Sequence, residues 1–300
     1  MRKLLNTLYV LSEDAYLSLT GETVEIRTEA GTKNIPLHTL ESIVCFSYKG
    51  ASPALMGKCA EMGIALSFYD RSGRFLTAVS PETKGNVLLR RTQFRIADDA
   101  AGSTAAARGF LSGKLYNEKY VLLRAVRDHS IQVDVERLKA AAAQITACIE
   151  QLKTATDADT LRGVEGKAAA AYFGVFDELI LQNKNVFSFR ERSRRPPLDP
   201  INALLSLTYS VLSGECASAL LSVGLDPYVG FLHTDRPGRR SLALDLMEEL
   251  RSPLADRFVL TLVNNRLLTK NDFKKEENGA IFLKDAGRKI FFAHCKMKMK

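Results

Sequence analysis

An abrupt change of texture near residue 80 constrains this chain more than any other feature of its sequence. Before it, apolar residues come in short bursts: Leu8-Tyr-Val-Leu, Ala15-Tyr-Leu-Ser-Leu, Thr23-Val-Glu-Ile-Arg-Thr, Asn34-Ile-Pro-Leu, Ser42-Ile-Val-Cys-Phe and Ile64-Ala-Leu-Ser-Phe-Tyr. Turn pairs such as Thr20-Gly21 and Ala30-Gly31 divide them. Bursts this short, rich in β-branched and aromatic residues, read as strands. One helix is predicted among them, near Pro53 to Met62, with Ala54, Leu55, Cys59 and Met62 on its buried stripe.

Beyond residue 86 the pattern turns helical. Long stretches rich in Ala, Leu, Arg and Lys run over about 87–98, 104–128, 134–155, 159–182, 200–223 and 241–266. Alanine clusters at Ala140 to Ala143 and Ala168 to Ala171 mark close helix packing. Between the two textures, 81–86 is polar and carries Pro81 and Gly85, which suits a linker. The expected fold class is therefore two-domain: a β-rich N-terminal domain over 1–80, then a mainly α-helical domain over 87–300.

Charge divides the same way. Residues 1–80 hold eight basic and eight acidic groups, so the whole net charge of +8 lies beyond them. An anionic partner, nucleic acid first and membrane surface second, is to be sought on the helical part. A 46% hydrophobic, 25% charged composition excludes collagen-like, disordered and multi-span membrane chains. The opening Met1-Arg-Lys-Leu-Leu imitates a signal peptide, but Asn6 and Thr7 interrupt the apolar run and Glu13-Asp14 follow, so it reads as a first strand. No 18-residue apolar stretch is read, so no membrane span and no membrane partner are expected. Five cysteines, odd in number and without a C-x-x-C pair, fit a reducing, cytoplasmic compartment.

Several clusters bear chemistry. Around Leu161-Arg-Gly-Val-Glu-Gly-Lys the helical stripe is Leu161, Glu165, Ala168, Ala169, Tyr172 and Phe176, which sets Glu165 on the apolar face. Two readings stand: an ion pair with Arg162 or Lys167, or a functional carboxylate. Gly163-Val-Glu-Gly166-Lys167 brushes against a phosphate-binding loop but fails on glycine spacing and on Ala168, where Ser or Thr would bind magnesium. Among four histidines, His233 sits in a glycine- and proline-punctuated loop just before Arg236, Arg239 and Arg240, a set suited to phosphate. The next helix, from Ser241, buries Leu242, Leu246, Met247 and Leu250 and turns Asp245, Glu248 and Glu249 away from the core. Those carboxylates are either a shared cation site or a solvated acidic face. Arg190, Arg192, Arg194 and Arg195 form a further basic run, read as phosphate contact or as a solvated loop, and the tail adds Lys296, Lys298 and Lys300.

Taken in order, Arg162-Gly-Val-Glu-Gly-Lys-Ala, Arg194-Arg-Pro-Pro-Leu-Asp-Pro-Ile-Asn, Gly224-Leu-Asp-Pro through His233, and Ser241-Leu-Ala-Leu-Asp-Leu-Met-Glu resemble the CRISPR-associated spacer-acquisition integrase, the endonuclease of the CRISPR adaptation module. The texture looks most like bacterial type I-C members. The resemblance implies a β-rich dimerisation domain and a helical catalytic domain with one divalent metal, Mg2+ or Mn2+. It implies Glu165, His233 and Glu248 as ligands and catalytic residues, with Asp245 as a supporting acidic group. Glu248 stands where some members carry Asp. Arg162, Lys167, Arg194, Arg195, Arg236, Arg239 and Arg240 are the expected DNA-binding residues. The implied partners are DNA, as prespacer duplex and CRISPR array, a second copy of the chain in a homodimer, and a small ferredoxin-like second adaptation subunit. The competing readings are a non-catalytic nucleic-acid-binding module and a metal-dependent phosphoesterase for small molecules.

Overall fold

The computed structural model describes residues 6–70, 73–79 and 86–295. Met1 to Leu5 of the expected opening strand, most of the expected linker and the three tail lysines lie outside the described residues. The chain forms two compact units, Met1–Val87 with Ser218–Leu225, and Leu88–Ala217 with Asp226–Lys300.

The first unit is β-rich. Strands β1 (Asn6–Val10), β2 (Tyr16–Thr20), β3 (Thr23–Thr28), β4 (Gly31–Pro36), β5 (Leu40–Cys45), β6 (Ala65–Tyr69) and β7 (Phe75–Val79) divide into two sheets. One has the order β1-β5-β6-β7, parallel across its first two pairings and antiparallel at β6-β7; the other is the antiparallel meander β2-β3-β4. Helix α1 (Pro53–Met62) begins where Ser52 Oγ accepts from Leu55 N at 3.2 Å and ends at Gly63, whose φ of 71° a side chain would resist. Its buried stripe is Leu55 and Cys59 alone. Ala54 lies about 100° off that line and Met62 closes the helix at 38% exposure, so both differ from expectation. The core is apolar, with Leu17, Val24, Leu37, Ile43, Leu55 and Leu66 fully enclosed. Burial of each such side chain is worth about 1.5–3 kcal/mol.

The second unit holds α2 (Val87–Asp98) from Leu88 on, α3 (Ala100–His129), α4 (Val135–Thr154), α5 (Ala158–Gly174), α6 (Pro200–Ser222) as far as Ala217, α7 (Ser241–Leu250) and α8 (Arg257–Asn264), then a small hairpin of β8 (Phe273–Lys275) and β9 (Ile281–Leu283), and α9 (Asp285–His294). Helix α3 is the axis, packing against α4, α5 and α7. Ala141, Ala142 and Ala168 are buried, as expected of alanine clusters at close crossings. Aspartates cap three starts: Asp99, Asp134 and Asp157 accept from Gly102, Arg137 and Thr160 N at 2.7, 3.0 and 2.8 Å. Helix α6 is long and apolar enough by length and composition to cross a membrane, yet Asn202 and Thr208 on it are fully buried, as befits a core helix.

Two helices differ from their expected spans. The stretch 159–182 stops at Gly174, beyond which β-branched Val175 leaves helical geometry and a 3-10 turn, Phe176–Leu179, follows. The stretch 241–266 is interrupted by a π-helical segment, Arg251–Asp256. Pro253 explains the interruption: it has no N–H for the Glu249 carbonyl four residues back, and its ring needs the wider turn. Asn117 Nδ2 on α3 donates to that carbonyl instead, at 2.9 Å.

Candidate functional site

The loop between α6 and α7 is held from three helices. From α2, Gln93 accepts from Asp226 N at 2.9 Å and donates to the carbonyls of Asp226 and Val229 at 2.8 Å each. From α3, Ser103 Oγ donates to Phe231 O at 3.1 Å. From α7, Asp245 Oδ2 accepts from Phe231 N and Leu232 N at 2.6 and 3.0 Å, and Oδ1 accepts from His233 N at 3.0 Å. In return the loop caps α7, because Pro227 O accepts from Leu242 N and Ala243 N at 3.0 and 3.2 Å. Gly230 permits this contact: a Cβ there would stand 2.7 Å from Ser241 Cβ and 2.8 Å from its carbonyl carbon.

The same anchor orients the histidine. His233 Nδ1 lies 2.7 Å from Asp245 Oδ1. Since a carboxylate accepts, the imidazole donates from Nδ1 and keeps Nε2 as its acceptor or ligand nitrogen. A cleft of about 390 Å³ opens beside it, lined by Phe94, Asp98, Ser103, Arg162 and the stretch from Val229 to Asp235.

Behind the loop lies a buried charge network. Lys114 of α3 pairs with Glu165 of α5, and its Nζ stands 2.8 Å from Glu248 Oε2 on α7. Arg251, the first residue of the π-helical segment, binds the other oxygen, Glu248 Oε1, at 2.9 Å and lies over the Tyr209 ring at 4.9 Å. Burial disfavours charge on Glu248, yet Arg251 and Lys114 outweigh it and hold the carboxyl down to about 2. Burial also works against the Lys114 ammonium, but Glu248, Glu118 and Glu165 push it up to about 12. Glu118, one turn along α3, is driven the other way: burial lifts it to about 8 against the pull of Lys114. Asp256 closes the segment, accepting from Tyr209 OH at 2.5 Å and Tyr172 OH at 3.0 Å, with burial raising it to about 6.

The family described as CRISPR associated protein Cas1 matches residues 8–296. The chain belongs to the Cas1 family. It is 49% identical over 290 residues to a CRISPR-associated endonuclease Cas1 of Chlorobaculum tepidum, covering 96% of this chain and 84% of that one. Its fold is similar to a CAS1 protein from Thermotoga maritima, with a TM-score of 0.84, 24% identity and 97% and 88% of the two chains covered. It is also similar to a casposase bound to an integration product, with a TM-score of 0.78, 25% identity and 97% and 81% covered.

In this Cas1 chain the expected site residues fall into distinct settings. Glu165 finds its partner in Lys114, not in Arg162, which pairs with Asp159, nor in exposed Lys167. Asp245 and Glu248, expected to point away from the core, are 0% and 4% exposed. Both are buried because each is satisfied, Asp245 by the loop's N–H groups and Glu248 by two cations. Within the chain they therefore serve different neighbours. Leu246 and Leu250 are only half-buried. Arg192 is structural: it donates to Ser193 O and Asn202 Oδ1 at 2.6 Å each and lies over Tyr209 at 5.3 Å. Arg194, Arg195 and Arg236 are exposed, and Arg239 braces the loop by donating to Thr234 O and Oγ1.

Among the described residues no three His, Cys, Asp or Glu side chains are gathered as a metal site. The donor set expected of Cas1 nonetheless fits a divalent ion in its chemistry. Glu165 and Glu248 converge on a single cation, the Lys114 ammonium, and Asp245 leaves His233 with Nε2 to spare. Lys114, Glu118, Gln93 and Arg251 went unread in the sequence. Lys114 and Glu118 share a face by their four-residue spacing, the one signal present, but a Lys and a Glu so spaced usually mark a solvated helix surface.

Proposed function

We propose that this Cas1 chain is a divalent-metal-dependent DNA nuclease and strand-transfer enzyme that inserts new spacers into a CRISPR array. The observation carrying this reading is the convergence of Glu165 and Glu248, from two different helices, on one cation position. Relatives named as endonucleases and the likeness to a casposase bound to an integration product support it. Glu165, Glu248 and His233 Nε2 are the groups that would hold Mg2+ or Mn2+. Such an ion, when bound, polarises the phosphodiester and lowers the pKa of the attacking water or 3'-hydroxyl.

The chain's own residues do the remaining work. Asp245 fixes the imidazole and the loop that carries it. Arg251 holds Glu248 ionised and in place. Arg162 borders the cleft beside His233, and exposed Arg194, Arg195, Arg236 and Lys167 offer cations to backbone phosphates. Hydrolysis and strand transfer differ only in the nucleophile, so one site serves nicking, joining and the reversal of joining. The homodimer formed through the charge-neutral N-terminal unit, the small ferredoxin-like partner subunit, the type I-C likeness and a bacterial cytoplasmic setting, where five free buried cysteines stay reduced, belong to the same proposal.

The test is nicking and 3'-end joining on supercoiled DNA with Mn2+. Glu165→Gln and His233→Ala are expected to abolish both while circular dichroism reports a folded chain; full activity in either variant overturns the reading. If EDTA leaves DNA processing unchanged while binding stays steeply salt-dependent, the non-catalytic binding module is the better account.

A further inference from the structure

Lys114 fills the position that the proposed function gives to a divalent ion. Its side chain is 4% exposed, and its ammonium bridges carboxylates from α5 and α7. An ammonium and a divalent cation cannot both occupy that position: they need the same oxygens, and like charges a few ångströms apart, shielded from water, repel strongly. Metal entry at Glu165 and Glu248 therefore requires the ammonium to go elsewhere.

A second observation supplies the destination. Glu118, one turn along α3 from Lys114, is 3% exposed, and its Oε2 has no hydrogen-bond partner among the described residues. A buried carboxyl oxygen without a donor is costly, and residues four apart on a helix face one another. The lysine stem is four carbons long with a rotatable bond at each, so a change of rotamer lets its ammonium change acceptors without any movement of α3.

We propose that Lys114 is the resting counter-cation of the Glu165 and Glu248 pair, and that it transfers to Glu118 when a divalent ion binds. Lys114 is then a positioning residue: it keeps the two carboxylates converged before the metal arrives and sets the threshold for metal binding. This inference rests on the metal reading above and deepens it. Because the site binds metal only in its opened arrangement, apparent affinity is lowered by the fraction of time it is open, and a site open one-tenth of the time binds about tenfold more weakly.

Mn2+ titrated calorimetrically into the full chain without DNA tests the threshold. Lys114→Met, which keeps the bulk of the stem, is expected to bind Mn2+ about tenfold or more tightly than the wild type. Glu118→Gln is expected to bind it several-fold more weakly, because the departing ammonium loses its seat. A second measurement uses the wild-type chain alone, so that it does not depend on Lys114→Met folding. The ammonium 15N–1H resonance of Lys114, assigned by its loss in Lys114→Arg, is expected to shift on saturation with Mg2+. Mn2+ binding to the wild type with that resonance unmoved, or Lys114→Met binding no more tightly, overturns the displacement and leaves the metal site standing. Absence of Mn2+ binding in both wild type and Lys114→Met, or its full retention in Glu165→Gln, overturns the metal reading and this inference with it.

Discussion

The two units of the chain use charge in opposite ways. Among the described residues of the β-rich unit the buried polar ones are the serines Ser42, Ser47 and Ser67, and its ion pairs, such as Glu25 with Arg27 and Lys58 with Glu22, each have one solvent-exposed member. In the helical unit Lys114, Glu118, Asp245, Glu248, Asp256 and Arg288 are all buried. A dry apolar core needs only pattern and volume. A buried charged network needs every member satisfied, and replacing one leaves its partner in a medium that cannot solvate it. The contrast shows where this fold gives up stability for a preorganised site.

The sharpest way to break the contrast is to remove a cation from each unit. Arg251→Ala is expected to cost about 3–5 kcal/mol in denaturant unfolding, since Glu248 then faces Lys114 alone. Arg27→Ala, the counterpart on the β-rich surface, is expected to leave the melting temperature unchanged, and equal losses in the two variants would erase the distinction.

Acidity sharpens it next. Glu118 titrates at about 8 in the folded chain against 4.5 for an ordinary glutamate. Its folded value is raised, so its contribution to stability is greatest below pH 4.5 and declines as pH climbs through 8. Asp256 shifts in the same direction but completes its change near 6, and Glu248 acts oppositely, losing its contribution only as pH falls from 4.5 towards 2. From pH 6 to 9 the difference between Glu118→Gln and the wild type therefore isolates Glu118, because the buried cysteines, raised from 9.0, weigh equally on both. Thermal melts of Glu118→Gln are expected to match the wild type near pH 4.5 and to exceed it increasingly up to pH 9; parallel curves would show that Glu118 ionises freely.

A smaller effect is expected where packing rather than charge holds the site. Gly230→Ala drives a methyl against the backbone of Ser241, which cannot yield as a flexible side chain would. A loss of about 1–3 kcal/mol is expected, together with slowed strand transfer as His233 shifts with its loop. Unaltered melting and unaltered rate would show that the loop accommodates the methyl.

The contrast also marks what sequence could convey. Alternation and turn chemistry revealed the β-rich unit, and the apolar spacing near Pro53 to Met62 marked α1 within it. Glu165 stood out because an acidic residue interrupted an apolar stripe. Asp245 and Glu248 were misread as outward because helical periodicity equates charged with exposed. Only the loop's N–H groups and the cations of α3 and the π-helical segment, distant in sequence, make burial favourable for them. The exposed arginines were visible but undiscriminated, since a run of like residues does not say that Arg192 turns inward onto Tyr209.

The π-helical segment has a consequence for how such a network arises and is lost. One surplus residue in a helix advances everything after it by about 100° relative to what came before. Arg251 reaches back to Glu248 by ordinary i,i+3 spacing, and the offset beyond it lets Asp256 meet the hydroxyls of Tyr172 and Tyr209. An in-frame loss of the Pro253 codon would restore a regular helix, swing the aspartate off both tyrosines and leave every other residue of the chain intact. The charge network thus hangs on a length of chain as much as on the identity of its members, and a comparison of residues column by column would pass over the change that undoes it.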